Sequence, residues 1–134
     1  MSRESSCSAQ RSTAISEPIT SNRQKFRDGV ILFNSGEFFK AHEVWEEIWL
    51  AAPEPDKTFL QGLIQLAAAF HHYSRGNREG GHSLAETALA KLDKFSGNYW
   101  GINLAALRAA TRDWLATAPN RPQCIPVPPN IQFL

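Results

Sequence analysis

Residues 37–51 read EFFKAHEVWEEIWLA, and their apolar side chains recur at spacings of three and four. Residues three and four apart lie on the same side of an α-helix, so this spacing is typical of a helix with one apolar face. Pro53 lacks the backbone N–H that a helix interior needs, and it marks the end of the helix. The segment therefore predicts an amphipathic helix that packs its aromatic face against other helices.

The flanking sequence predicts four further helices, each an apolar repeat between a capping residue and a glycine or proline. They begin at Ser21 or Asn22, at Asp56, at Ser83 (or earlier, at Asn77) and at Asn103, while Asn34 and Glu37 form a capping box for the quoted helix. No segment shows sustained alternation of apolar and polar residues, so no sheet is expected. Short connections favour antiparallel neighbours. We predict an all-α, compact bundle of about five helices, mostly antiparallel, with an extended C-terminal tail that Ile131, Phe133 or Leu134 anchors.

The chain has 134 residues, a length that suits a single domain. Residues 1–20 are polar, small and aperiodic, and such segments bury too little apolar surface to become ordered. We therefore predict a disordered N-terminal tail over residues 1–20 and a single helical domain over residues 21–134.

Charge and cysteine content argue against several classes of partner. The net charge is +1 and the basic residues are scattered, so we expect no nucleic acid. No apolar run approaches the ~20 residues that span a bilayer, so we expect a soluble protein without a membrane partner. Cys7 and Cys124 lie far apart, which fits a reducing compartment. We predict a cytoplasmic protein; an organelle stroma is the alternative if the N-terminal tail is a transit segment, against which Glu4 and Glu17 argue.

A helical wheel at ~100° per residue places two ionisable residues of the quoted helix inside its aromatic stripe. With His42 at zero, Glu46 lies near +40° and Glu43 near +100°. The stripe on either side of them consists of Phe38, Phe39, Trp45, Trp49 and Leu50. Burying an unpaired charge is costly, and residues four apart can reach each other. We expect His42 and Glu46 either to satisfy each other as a buried clamp or to line a binding pocket, with Glu43 at its rim.

The third helix supplies partners for this pair. Its main apolar stripe centres on Leu63, and a second, uncharged stripe lies nearly opposite, formed by Gln61, Gln65, Ala68 and His72. A helix of this kind is expected to be central and covered on both faces. Glutamine both donates and accepts hydrogen bonds, so Gln61 and Gln65 are candidates to complete the network; the alternative is that they and His72 face water. His71 is interpreted as a packed core histidine.

Two segments resemble the signatures of the domain-of-unknown-function family 309: residues 33–49, FNSGEFFKAHEVWEEIW, and residues 59–72, FLQGLIQLAAAFHH, followed by Gly76-Asn77. With Gly101-Ile102, the resemblance extends over roughly residues 22–133. It implies a small multi-helical bundle with no established activity. The family's characteristic polar positions map onto residues that the wheel had singled out: His42, Glu43, Glu46, Gln61 and Gln65. His82 departs from the family pattern and carries no functional weight.

Known types of catalytic site fit only in part. The run His42-Glu43-x-x-Glu46 is similar to the zinc-protease motif, but a glutamate replaces the second of the two histidines that the motif needs. A metal on His42 and Glu46 would require a third ligand, which His72 or His71 could supply only if the third helix turns that way. Glu79 and His82 have the spacing of a di-iron ligand pair, but two glycines separate them and no second copy occurs.

The residues support three hypotheses about function. The preferred one is a binding or interaction module whose polar cluster orders the core and whose aromatic groove, around Trp45 and Trp49, takes a protein partner, since tryptophan is enriched at binding hot spots. The second is a metal-dependent, hydrolase-like enzyme that uses His42, Glu46 and a third ligand, with Glu43 as base. The third is a metal-free small-molecule pocket at the same residues. No cofactor is expected, a divalent metal being the alternative, and the sequence identifies neither the ligand nor the oligomeric state.

Overall fold

The computed structural model describes the backbone of residues 17–117 and 128–134, and within these ranges the side chains from Asn22 onward. This part of the chain forms five α-helices: α1 (Glu17–Asn34), α2 (Phe38–Ala51), α3 (Asp56–Ser74), α4 (Arg78–Leu92) and α5 (Leu104–Thr117). It contains no strand, only two isolated bridges near its end. None of these helices is long and apolar enough to cross a membrane. The predicted all-α class and five-helix bundle are confirmed.

The core lies where α1, α2 and α3 meet, and Trp45 of α2 is at its centre. The indole is fully buried, with its ring centroid 6.2 Å from that of Phe26 and 5.9 Å from that of Phe33. Its Nε1 donates a hydrogen bond to the Phe26 carbonyl at 3.2 Å. Gly29 lies directly beneath the ring, where any side-chain carbon would clash with it. The close approach of α1 to α2 therefore depends on a glycine at this position.

Helix α3 is central, as predicted. Its buried residues occupy most of its circumference, because α2 covers one side and α4 covers another. Gly62 lies against Leu92 of α4, and Gly81 of α4 lies against the Ala69 carbonyl. These two glycines let α3 and α4 pack with their backbones close together.

Helix starts agree with the predicted caps at some positions and differ at others. Asn103 caps α5 as predicted, accepting a hydrogen bond from the Ala106 amide at 3.1 Å. The start of α4 at Ser83 is wrong: Asn77, the earlier alternative, accepts from the Gly80 amide at 3.0 Å. Helix α1 begins at Glu17, before the predicted caps Ser21 and Asn22.

Two polar residues that the sequence predicts as caps have tertiary roles instead. Helix α2 begins without a side-chain cap, because Asn34 is the last residue of α1 and its side chain is used elsewhere. The Asn34 amide donates to the Ile131 carbonyl and accepts from the Ile131 N–H, both at 2.8 Å. Asp56 is the first residue of α3 rather than its cap. The Thr58 amide donates to the Glu54 carboxylate at 3.0 Å instead.

The C-terminal tail packs against α1. Ile131 is buried, and the Phe133 ring packs 4.3 Å from the Arg27 guanidinium. The Leu134 side chain is exposed, whereas its backbone N–H donates to the Gly101 carbonyl at 3.0 Å. Both cysteines, Cys7 and Cys124, lie outside the described residues. So does most of the predicted N-terminal tail, and the domain boundary at residue 20 stays a prediction.

Candidate binding face on helices α2 and α3

Helices α2 and α3 run antiparallel, and contacts at both ends define their register. At one end the Phe39 ring lies 5.3 Å from that of His71. At the other end Lys57 Nζ lies 4.1 Å from the Trp49 ring centroid and donates to the Trp49 carbonyl at 2.9 Å. Midway between these contacts, the turns of α2 that carry His42 and Glu46 lie level with the turns of α3 that carry Gln65 and Gln61.

The two facing edges follow the three–four spacing of packed helices. On α2 this edge consists of Phe39, His42, Glu46 and Trp49, and on α3 it consists of Lys57, Gln61, Ile64, Ala68 and His71. Glu43 and Leu50 adjoin the α2 edge on its outer side, and Gln65 adjoins the α3 edge. We call the surface formed by Phe39, His42, Glu43, Glu46, Trp49, Leu50, Gln61, Gln65 and His71 the α2–α3 face.

The predicted burial of Glu46 is wrong, because its side chain is exposed. Glu43, which was predicted at the rim, is exposed as well, and His42, Gln61 and Gln65 are half-buried. The buried residues of α2 are Phe38, Ala41, Trp45 and Ile48. The wheel counted Phe39 and Leu50 as core, but their side chains are 52% and 69% exposed. Without those two residues, the buried stripe turns away from His42 by roughly a quarter of the helix circumference.

The other predicted site residues divide between core and surface. Trp45 belongs to the core and is out of reach of a partner, whereas Trp49 is half-buried beneath Lys57. His72 is exposed. His71 is half-buried against Phe39 rather than enclosed in the core.

Three polar atoms of the α2–α3 face are shielded from solvent without a hydrogen-bond partner among the described residues: His42 Nδ1, Trp49 Nε1 and Gln65 Oε1. Gln61 and Glu46 lie on the same face, but no hydrogen bond links them to His42 or Gln65 within the described part of the chain. A shielded, unpaired donor or acceptor costs about 1–3 kcal/mol. The face therefore has hydrogen-bonding capacity that the fold does not use.

The outer side of α2 also carries charge that is not neutralised within the described residues. Glu47 pairs with Lys25 at 3.2 Å and Glu37 with Lys40 at 4.0 Å. Glu43 and Glu46, which lie beside the exposed Phe39 and Leu50, form no such pair with a residue that the structure describes.

A metal site would need at least three protein ligands in most catalytic centres. The part of the chain that the structure describes has no group of three histidine, cysteine, aspartate or glutamate side chains that could hold a metal ion. His42, Glu46 and His72 therefore do not form the three-ligand set that the zinc hypothesis requires, and a metal here would need a ligand from elsewhere.

A separate site, which is concave and which the sequence did not indicate, lies where α1, the end of α2 and the start of α3 meet the loop after α4. It is a pocket of about 250 Å³ lined by Asn22, Arg23, Ile48, Ala51, Ala52, Pro53, Asp56 and Trp100. Asp56 Oδ1 accepts hydrogen bonds from the Tyr99 hydroxyl at 2.7 Å and from Trp100 Nε1 at 3.1 Å. Burial, and then the hydrogen bond to Asp56, raise the pKa of Tyr99 to about 12. The signal that could have found this loop is the pair of aromatic residues next to Gly101.

Comparison with known proteins gives a family and two relatives. The model of the family described as "Domain of unknown function (DUF309)" matches residues 26–84, from the middle of α1 into α4. An "Uncharacterized protein" of Aquifex aeolicus (strain VF5) is 33% identical over 100 residues, which cover 74% of this chain and 30% of that protein. The "Uncharacterized protein YpuF" of Bacillus subtilis (strain 168) is 35% identical over 54 residues, which cover 40% of this chain and 31% of that protein.

The chain thus aligns with about 30% of the length of each of these relatives. The matched segment 26–84 contains the whole of α2 and α3 and therefore every residue of the α2–α3 face. Over residues 26–84, the chain thus matches the DUF309 family.

Proposed function

We propose that this protein is a binding module whose α2–α3 face docks onto a protein segment that presents basic side chains beside apolar ones. The observation that carries the proposal is the coincidence, on one face, of exposed apolar side chains, carboxylates without an ion pair and shielded polar atoms without a partner. The partner's apolar side chains, basic groups and hydrogen-bonding groups would each match one of these three features.

The apolar contribution comes from Phe39 and Leu50. Both are more than half exposed and lie on the same side of α2, about 16 Å apart along the helix axis. Phe39 is near the start of the helix, and Leu50 is near its end, next to half-buried Trp49. Exposed apolar side chains commonly mark interaction sites, and aromatic residues often dominate the binding energy of an interface. Phe39 is pre-positioned for this role, because its ring stacks on that of His42 with centroids 5.9 Å apart and also contacts His71.

The charges favour a basic partner over an acidic one. Glu43 and Glu46 form no ion pair with a described residue, and they flank the apolar side chains just named. Complementary charge at an interface rim chiefly raises the association rate and selects among partners. Binding to this face should therefore weaken as ionic strength rises, because salt screens exposed charges.

The shielded atoms favour a partner that offers both hydrogen-bond donors and acceptors. Trp49 Nε1 donates, Gln65 Oε1 accepts, and His42 Nδ1 does either according to its tautomer. A peptide backbone or a polar side chain supplies both kinds of group, and a small side-chain adjustment would open these atoms to it. The resulting hydrogen bonds would remove a cost that the free protein bears.

The lengths of the relatives also support a module. In both, the segment that matches this chain is less than a third of the protein. A helical unit joined to longer sequence in its relatives is well suited to act by docking onto another segment.

Fluorescence anisotropy with labelled peptides of about 15 residues tests the proposal. The first peptide carries leucine and lysine four residues apart, the second replaces lysine with glutamate, and the third replaces leucine with serine. We expect the chain to prefer the first peptide by at least about tenfold, equivalent to 1.4 kcal/mol. Equal binding of the leucine–glutamate peptide, or no binding of the leucine–lysine peptide, would contradict the proposal.

Variants then locate the binding face. Phe39→Ser and Leu50→Ser should each weaken binding about tenfold, because truncating an apolar side chain that dominates an interface typically costs 1 kcal/mol or more. Ile31→Ser is the matched control, since Ile31 of α1 is 54% exposed and lies outside the face. Equal losses in all three variants would show that binding is non-specific.

The metal-dependent hydrolase remains a prediction with its own test. Elemental analysis of the untagged protein beside a His42→Ala variant distinguishes it from the binding module. About one divalent metal per chain, lost in the variant, would redirect the assignment toward hydrolysis. Unchanged metal content in the two proteins would leave His42 without a ligand role.

A further inference from the structure

The pocket between α1, the end of α2 and the loop after α4 shares no residue with the α2–α3 face. Its volume is about 250 Å³, below the ~300–1,000 Å³ typical of pockets for drug-sized ligands. Ile48 and Pro53 make one wall apolar, and the Trp100 indole lines another. The pocket therefore fits a small molecule with a short apolar part.

Two opposite charges line this small pocket without pairing with each other. Arg23 contributes a guanidinium, which lies 5.7 Å from the Trp100 ring centroid, and Asp56 contributes a carboxylate. Neither forms an ion pair with any described residue. The Asp56 carboxylate receives hydrogen bonds from described residues only at Oδ1, and both donors are neutral. The positive and the negative group are thus each available to a ligand.

The loop after α4, whose Tyr99 and Trp100 donate hydrogen bonds to Asp56, contains a residue in an unfavourable backbone conformation. Trp100 has φ of +50°, a left-handed conformation that is uncommon for a residue with a side chain. Gly101 follows with φ of +78°. In this conformation the indole N–H donates to Asp56, and the Tyr99 hydroxyl is the second donor. Strained residues that persist in a fold often lie at ligand sites.

From this geometry we propose that the pocket binds a small zwitterion of the amino-acid class. The ligand's ammonium group lies at Asp56 and its carboxylate at Arg23. Guanidinium–carboxylate contacts are among the strongest hydrogen-bonded pairs in proteins. The ligand's side chain lies against Ile48 and Pro53, so apolar amino acids are preferred over charged ones.

Nuclear magnetic resonance on the ¹⁵N-labelled full chain provides the test, because the Trp100 indole N–H reports directly on the pocket. The common L-amino acids are titrated one at a time to about 10 mM, with affinities expected in the millimolar range. We expect a saturable shift of the Trp100 indole signal with at least one apolar amino acid. For the best of these, the matching amine without the carboxylate and the matching acid without the ammonium should each bind about tenfold or more weakly.

Three variants assign the charges. Arg23→Gln and Asp56→Asn should each reduce the affinity about tenfold or more, and Lys25→Gln, on α1 but outside the pocket lining, should not change it. Asp56→Asn retains an Oδ1 acceptor for Tyr99 and Trp100, so an indole signal in the free variant that stays distinct from that of an unfolded chain verifies that the loop is intact. The proposal is overturned if no amino acid gives a saturable shift, if the amine binds as tightly as the zwitterion, or if Arg23→Gln binds normally. None of these outcomes bears on peptide binding at the α2–α3 face.

Discussion

Phe38 and Phe39 are adjacent in sequence but differ in what they contact, and replacing each with alanine tests where the surface of α2 begins. Phe38 is 9% exposed, and its ring lies 5.2 Å from Phe33 and 5.5 Å from Phe70. Truncating such a buried phenylalanine should lower the free energy of unfolding by about 3–5 kcal/mol, since it loses transfer free energy and leaves a cavity. Phe39, half exposed, should lose about 1 kcal/mol, because only part of its area is buried and no enclosed cavity forms.

Urea denaturation followed by circular dichroism measures both changes. With an m-value of about 1.5 kcal/mol/M, the midpoint should fall by about 2 M or more for Phe38→Ala and by less than about 1 M for Phe39→Ala. Equal destabilisation by the two variants would refute the reasoning, because Phe39 would then be part of the core and the α2–α3 face would lose its main apolar anchor.

Three further changes probe other parts of the fold. Gly29→Ala should destabilise by about 1–3 kcal/mol or more in the same denaturation assay, since the added methyl would clash with the buried Trp45 ring; wild-type stability would contradict that packing. Asn34→Ala removes both hydrogen bonds to Ile131 and should speed hydrogen exchange of the Ile131 amide. An unchanged exchange rate would show that Asn34 does not fix the C-terminal tail to α1. The pKa of Tyr99 is raised to about 12 in the fold, above the value of ~10 in unfolded chains. The stability that the Tyr99 hydroxyl contributes is therefore complete below pH ~10 and is lost as pH rises toward 12. An absorbance titration should show one tyrosine ionising late, and Tyr99→Phe should abolish that late step.

Local sequence patterns predicted the helices well, because helix formation depends on the spacing of apolar residues and on capping and helix-ending residues that lie within a few positions of each other. The caps at Asn77 and Asn103 are examples of such local signals. Asn34 and Asp56 have the same capping chemistry, yet their side chains bond to residues far away in sequence. A local pattern does not distinguish the two uses.

The site was predicted less well, and the physical reason lies in Phe39 and Leu50. A wheel assigns large apolar residues to the core, but a protein also exposes apolar surface where it has a use for it. Because the wheel counted these two residues as core, it placed Glu46 in the buried stripe, whereas Glu46 is exposed in the structure. The polar residues nevertheless lie close to one another: His42 and Glu46 are on the α2 edge, Gln61 is on the facing α3 edge, and Gln65 adjoins that edge.

The pocket around Asp56 illustrates a different limit. Its lining comes from three stretches of chain, near residues 22, 52 and 100. Periodicity within one helix carries no information about such an assembly.

The four tryptophans allow the central proposal, peptide docking on the α2–α3 face, to be tested in a single measurement. Trp45 is in the core, Trp49 is on the face, Trp100 lines the pocket, and Trp114 packs against Phe70 and Tyr73. Their indole N–H signals are followed in a ¹⁵N spectrum while the leucine–lysine peptide is added. The account predicts that the Trp49 signal shifts to saturation while the other three stay in place; a saturating shift at another indole without one at Trp49, or no shift at all, would contradict it.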